Sequence, residues 1–426
     1  MSKHLAARAA STLLVLAMIG PAAMSCSDDG ESDGNAGSAG AAGSAGAAGA
    51  DGSAGTSGSS GSAGSAGSAG TSGSAGTSGS AGTSGSAGTS GSAGTSGAAG
   101  ASGSAGTSGA AGSAGTAGSG GGPTIPIAWI PNYGSDTVSV LDVVAGQVID
   151  TITVGGAPTG VAIHPTRPVL YIGNFDDDSI NVISRQTHAV LATLAVGDGP
   201  RGIAITPDGT RAYVANYYGQ SFTVIDAASD VVGATTAGLV YPLAVTALPD
   251  GSGIYLTQHD GSTHLGLIDP SNDSLSILPA PTVGSNSMAI RFNAAGTVGY
   301  VAGYSSGILT AFDPGNGSGW NSPQSLGYPY AMALAESKGR LYVTQRFSST
   351  VQVLSTADLT SLTTLDVGGS AAGVDLTPDG NRLVVTLPEN GQVVVVDTAT
   401  DAVGLPITVQ SLPQGEGFFI SQEPTP

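Results

Sequence analysis

A single recurring unit restricts the fold of this chain more than any other feature. In residues 200–226 (PRGIAITPDGTRAYVANYYGQSFTVID) three short apolar runs alternate with turn residues. Residues 202–205 form the first run, and Pro207-Asp208-Gly209 then supplies hairpin-turn chemistry. Residues 211–216 make a return strand rich in β-formers, and residues 222–226 a third strand ended by Asp226. The aromatic or apolar residue that opens the return strand recurs at Trp129, Tyr171, Tyr213, Tyr255, Tyr300, Tyr342 and Val384. The intervals are 42, 42, 42, 45, 42 and 42 residues. A glycine-like slot in the preceding strand recurs at Gly160, Gly202, Ala244, Met288, Ala331, Gly373 and Gly415.

Both series have seven members, but they are out of phase. Trp129 has no inner strand before it, and residues 415–420 have no return strand after them. A period near 42 with about four short strands is a propeller blade, whose sheet cannot bury both faces alone. The expected fold is therefore all-β, a seven-bladed β-propeller over residues 123–426, closed by the C-terminal strand. On this reading the segment at Phe418 lies against Trp129, which joins the two ends of the domain and protects exposed sheet edges.

The rest of the chain has a different character. Residues 1–25 read as a signal peptide, with Lys3 and Arg8 ahead of an apolar core (STLLVLAMI) too short to span a bilayer. They run into Ala23-Met24-Ser25-Cys26, which resembles the lipobox of bacterial lipoproteins although Leu is usual where Ala23 stands. Cys26 is the sole cysteine, so the fold uses no disulfide, and the thiol stands where a lipid would be attached. The expected partner is thus a membrane, reached through lipidated Cys26, with simple secretion as the alternative. From Gly34 to Gly118 every third residue is glycine, with no proline and one charge, Asp51. That is the collagen period without the proline that holds collagen chains in polyproline II. Residues 26–122 are accordingly expected to form a disordered Gly/Ser/Ala/Thr tether of roughly 50 Å, with a triple helix or another glycine-rich assembly as the alternative.

Tyr213-Val214-Ala215-Asn216, framed by Pro207-Asp208-Gly209 and Val224-Ile225-Asp226, resembles the YVTN β-propeller repeat of surface-layer and related exported proteins. The resemblance spans about 300 residues and is specific for fold rather than activity. Relatives of that kind include adhesion modules, lactonase-like enzymes, nucleic-acid-binding proteins and redox domains.

Inner strands start, and return strands end, on the same face of the disc. One mouth should therefore gather Arg201, Tyr330 and Gln414 from the first series, and Tyr133, Phe175, Tyr217, His259, Tyr304 and Arg346 from the second. Amides at Asn132, Asn174, Asn216, Gln258 and Gln345 cap strand ends on the simplest reading. Aromatic rings, amides and a few cations can hold a glycan, a peptide or an envelope protein. Arg291, Asp375 and Glu416 carry charge where sibling blades are apolar, and such charges need partners. Asp375 reads as structural, whereas Glu416 is expected to reach Arg201 or Arg346 as an ion pair. A rival enzymatic reading, a lactonase-like hydrolase, would use His259 and Glu416 as acid and base; a third is a structural surface-layer coat. No Gly-x-Ser-x-Gly, His-Glu-x-x-His or Cys-x-x-Cys-His motif occurs, and no cofactor or metal is expected. Asp176-Asp177-Asp178 lacks the spacing of a dedicated calcium loop. From residue 123 onward 25 acidic residues face 9 basic ones, which disfavours nucleic acid and suits a soluble, monomeric disc outside the cell, in the periplasm or on the outer membrane.

Overall fold

The computed structural model describes residues 124–424, apart from 262–263, 279–283 and 323–324. The signal segment, Cys26 and the glycine-rich arm lie outside the described residues. The strands form seven sheets, each built around four antiparallel strands that in six of the sheets follow sequence order. Blades 2 to 7 occupy residues 158–195, 200–237, 242–278, 287–321, 329–366 and 374–408. Blade 1 combines residues 124–153 with the C-terminal strand. The chain forms a seven-bladed β-propeller. Apart from strands, the regular elements among the described residues are two 3₁₀ turns, Glu336–Lys338 and Pro388–Asn390.

Burial follows the position of each strand in its blade. Val169–Asn174 and Ser179–Ser184, the middle strands of blade 2, are buried throughout, whereas the outer strand Val190–Ala195 is largely exposed. A middle strand is covered on both faces by neighbouring blades, so it reads as a continuous apolar run rather than an alternating one. Ile180 and Val182 of blade 2 thus share a core with Ala212 and Ile225 of blade 3.

The recurring tyrosine also ties blades 2 and 3 each to the next. Tyr171 Oη donates to Asp230 Oδ1, a turn residue of blade 3 that Arg167 grips with both terminal nitrogens. Tyr213 and Arg211 hold Asp273 of blade 4 in the same way, and Arg340 pairs with Asp401 at 2.7 Å. At the seam this device changes. Trp129 replaces the tyrosine, His188 stands in place of the aspartate, and the two rings meet edge to face at 5.4 Å.

Closure differs in detail from the sequence expectation. The strand that completes blade 1 is Ile420–Pro424, antiparallel to Thr124–Asn132, and Trp129 N–H donates to Phe419 O at 2.8 Å. Phe418 itself does not face Trp129. Pro413 faces Asn132 as Pro200 faces Asn216. From there blade 3 sets four inner-strand residues, up to Ala204, against three of the return strand. The seam sets six, up to Phe419, against three. The surplus bulges into the channel, where Glu416–Phe418 pairs in parallel with Pro158–Ile163 of blade 2.

Two of the irregular charges hold this bulge. Asp375 Oδ2 of blade 7 accepts the N–H groups of Phe419 and Ile420 at 2.8 and 3.0 Å. Arg291 of blade 5 donates to Gly417 O at 2.7 Å, and its guanidinium lies 4.1 Å from the centroid of the Phe418 ring. Gly417 has φ of +109°, and a Cβ there would lie 2.3 Å from Val161 O, so the crossing requires glycine. Burial raises the pKa of Asp375 to about 6, although Arg291 and three backbone N–H groups oppose the shift.

A carboxyl whose folded pKa exceeds its unfolded value binds more protons when folded, so its contribution to stability falls as pH rises between the two values. For Asp375 that window runs from about pH 4 to about pH 6. Asp375→Asn, which keeps an acceptor without the titration, should flatten this segment of the stability–pH curve. Asp375→Ala should lower stability by roughly 2–4 kcal/mol through loss of the shared acceptor. Denaturant unfolding of both variants across pH 4–7 checks these outcomes.

Candidate functional site

The mouth is built by one clasp, repeated. The residue after each return strand donates its backbone N–H to the carbonyl of the residue that precedes the inner strand of the same blade. The pairs are Tyr133 with Leu412, Phe175 with Ala157, Tyr217 with Gly199, His259 with Tyr241, Tyr304 with Asn286, and Arg346 with Tyr328. Every acceptor has a left-handed backbone, with φ between +46° and +66°. Blade 7 departs from the pattern because Pro388 occupies the donor position and proline has no N–H.

This clasp brings most of the expected site residues together. Phe175, Tyr217, Tyr304 and Tyr330 pack with Leu243, Met288 and Ala372 in one buried cluster, and Tyr133 lies against its edge. Ring contacts run on through His259, whose centroid is 6.4 Å from that of Tyr217 and 6.5 Å from that of Tyr304. Gln414 is also buried, anchored by its backbone N–H on Pro131 O at 2.7 Å.

The cations are both internally matched. Arg201 forms a two-pronged ion pair with Glu416, and Tyr330 Oη donates to the same carboxylate at 3.2 Å. The Arg201 guanidinium lies 5.8 Å from the rings of both Phe175 and Tyr217. Burial alone would lower the pKa of Arg201, but the Glu416 charge outweighs it and holds the pKa above its ordinary value. Arg346 pairs instead with Glu389 at 2.8 Å, beneath Phe347 and beside Tyr330. His259 is different. Its Nδ1 is buried without a hydrogen-bond partner, and burial together with the Arg201 charge pushes its pKa below the usual histidine value. The imidazole is therefore neutral at pH 7.

The amides have an architectural role. Asn132, Asn174 and Asn216 are fully buried, and each Nδ2 bridges two side chains five and seven residues on; Asn216 takes Ser221 and Thr223 at 3.1 and 2.9 Å. Gln258 and Gln345 accept from Val240 N–H and Thr350 Oγ1. The acidic turn is likewise structural, since Asp177 and Asp178 accept the N–H groups of Gly156 and Gly199 at 2.7 and 2.9 Å. Among the described residues no group of three or more His, Cys, Asp or Glu side chains could hold a metal ion.

Four further aromatic residues on this face, not singled out by the repeat alignment, are exposed: Tyr218, Tyr241, Tyr328 and Phe347. Tyr241 stacks beside Tyr217 at 5.1 Å, and Tyr328 meets Tyr304 at 5.3 Å and Phe347 at 5.7 Å. The available sequence signal was position, because Tyr241 and Tyr328 directly precede the prolines that open two inner strands.

Comparison with known proteins supports the fold and leaves activity open. Residues 28–88 match the family model of the collagen triple helix repeat (20 copies). No curated protein matches the chain. Among solved structures, hydrazine synthase of Kuenenia stuttgartiensis is 21% identical with a TM-score of 0.57, covering 65% of this chain and 95% of that one. A functionally unknown protein of Desulfotomaculum acetoxidans is 13% identical with a TM-score of 0.61, covering 70% and 99%. The dihydro-heme d1 dehydrogenase NirN, in complex with DHE, is 16% identical with a TM-score of 0.52, covering 68% and 74%. Likeness at these identities is a likeness of fold.

Glu416→Gln should leave Arg201 as an uncompensated buried cation. The expected loss of stability is about 3 kcal/mol, typical of breaking a buried pair on one side. Arg201→Met with Glu416→Gln together should recover part of that loss, and thermal unfolding of the single and double variants measures the difference.

Proposed function

We propose that this chain is an exported lipoprotein, a propeller of the YVTN-repeat type, whose mouth face binds a ligand outside the cytoplasm. Residues 1–25 direct export, lipidated Cys26 anchors the chain, and residues 26–122 hold the propeller away from the membrane as a flexible tether. The absence of proline from the Gly34–Gly118 tract favours a tether over a triple helix, despite the collagen-type period. Binding as a monomer, to a glycan, peptide or envelope protein, agrees with an acidic disc that repels nucleic acid.

The observation that carries the binding role is the continuous arc of rings from Phe175 through Tyr217, His259 and Tyr304 to Tyr328 and Phe347. It ends in exposed aromatic faces and contains one unpartnered imidazole nitrogen. Aromatic faces with a few convergent polar atoms are the usual lining of a binding site. The hydrolase reading is weaker. Glu416 would have to act as an acid or base while its carboxylate is held by Arg201 and Tyr330.

Two measurements test this. Cys26→Ser should move the protein from the detergent-extracted membrane fraction to the soluble fraction; continued membrane retention would remove the anchor from the account. His259→Ala should weaken capture of envelope extract components by the detergent-solubilised chain by about tenfold, the equivalent of one hydrogen bond. Undiminished capture would place the binding surface elsewhere.

A further inference from the structure

We propose that Tyr241 and Tyr328 are stacking platforms for an uncharged oligosaccharide laid across the mouth. This rests on the mouth-face binding role and names its ligand class. The first observation is backbone conformation. Both tyrosines occupy the left-handed region, with φ of +46° and +50°, at the clasp position that precedes an inner-strand proline. Blades 1, 2, 3 and 5 fill the same position with Leu412, Ala157, Gly199 and Asn286, all in the same left-handed conformation. The clasp sets the backbone, so what distinguishes blades 4 and 6 is the large aromatic side chain carried on it. The fold explains the conformation but not the tyrosine.

The second observation is where the side chains go. Tyr241 and Tyr328 are 37% and 47% exposed, so these rings are not there to fill the core. Each lies beside a buried ring of the arc, Tyr217 at 5.1 Å and Tyr304 at 5.3 Å, and His259 stands between those two. The exposed rings therefore stand at the two ends of the Tyr217–His259–Tyr304 arc.

Charge selects the ligand class. Arg201 and Arg346 already hold Glu416 and Glu389, so an anionic ligand would compete with carboxylates tethered in place. A cationic ligand would meet the Arg201 guanidinium already seated against Phe175 and Tyr217. A peptide that binds by strand addition needs a free sheet edge. This face presents the ends of inner strands rather than an edge, because the edges lie at the outer strands of each blade. An uncharged sugar ring matches what is left: an apolar face for a tyrosine and hydroxyls for the tyrosine Oη groups.

The test uses the detergent-solubilised full chain with three immobilised probes: neutral gluco-, galacto- and manno-oligosaccharides, uronic-acid oligomers, and a proline-rich peptide. The wild type should retain neutral oligosaccharide. Tyr241→Gly with Tyr328→Gly should lose at least tenfold in that affinity, with a thermal midpoint equal to or above the wild type, because glycine relieves the left-handed backbone. Undiminished binding by the double variant, or lost binding accompanied by a lowered midpoint, would overturn the proposal. Retention of uronic-acid oligomers or peptide alone would overturn the saccharide assignment while leaving the mouth as a binding face. Absence of binding to every probe would also overturn it, and the His259→Ala capture from envelope extract then judges the mouth separately.

Discussion

The hydrogen-bond ladder between Thr124–Asn132 and Ile420–Pro424 is the contact on which the other six blades depend. A propeller blade covers its own middle strands only by leaning on two neighbours, so a ring with one missing strand would expose an edge and a core at once. Here the strand that completes the ring arrives from the opposite end of the domain. It also crosses the channel on its way, pairing first with blade 2 and then with blade 1. One segment therefore closes the circle and fills its centre.

Charges in the channel divide according to this geometry. Asp375 and Arg291 reach the backbone of the crossing segment from blades 7 and 5, while Glu416, carried on that segment, reaches Arg201 of blade 3. Each is buried or largely buried, and each has a partner from a distant part of the chain. Buried charges are tolerated where a partner and further hydrogen bonds satisfy them, and removal of one member leaves the other stranded. The plug is consequently fastened from several sides by interactions that exist only when the ring is complete.

The mouth is organised by a backbone rule applied in six blades and broken in the seventh by a proline. The clasp fixes the position of each rim residue and leaves its side chain to vary. Blades 1 to 5 use that freedom for rings and blade 6 for Arg346, and the tyrosines at the acceptor position are an addition to the architecture rather than a requirement of it. Stability and recognition are thus assigned to different atoms of the same loop.

The number of blades, the strand order and the gathering of Phe175, Tyr217, His259, Tyr304 and Tyr330 at one face were all legible in the sequence. They follow from a period, and a period survives without knowledge of contacts. The partnership of Glu416 with Arg201 was legible as one of two options, because Arg201 and Arg346 were the two arginines the repeat placed at that mouth. The two surplus residues before Phe419 were not legible, since Gly415 and Gly417 fit the glycine slot equally well when read from opposite ends of the strand. Nor was the left-handed backbone of Tyr241 and Tyr328, because nothing in tyrosine signals positive φ. Repetition along a chain determines which elements form and how many there are. Register at the seam and strain at the rim are decided by where a closed ring forces distant segments to meet.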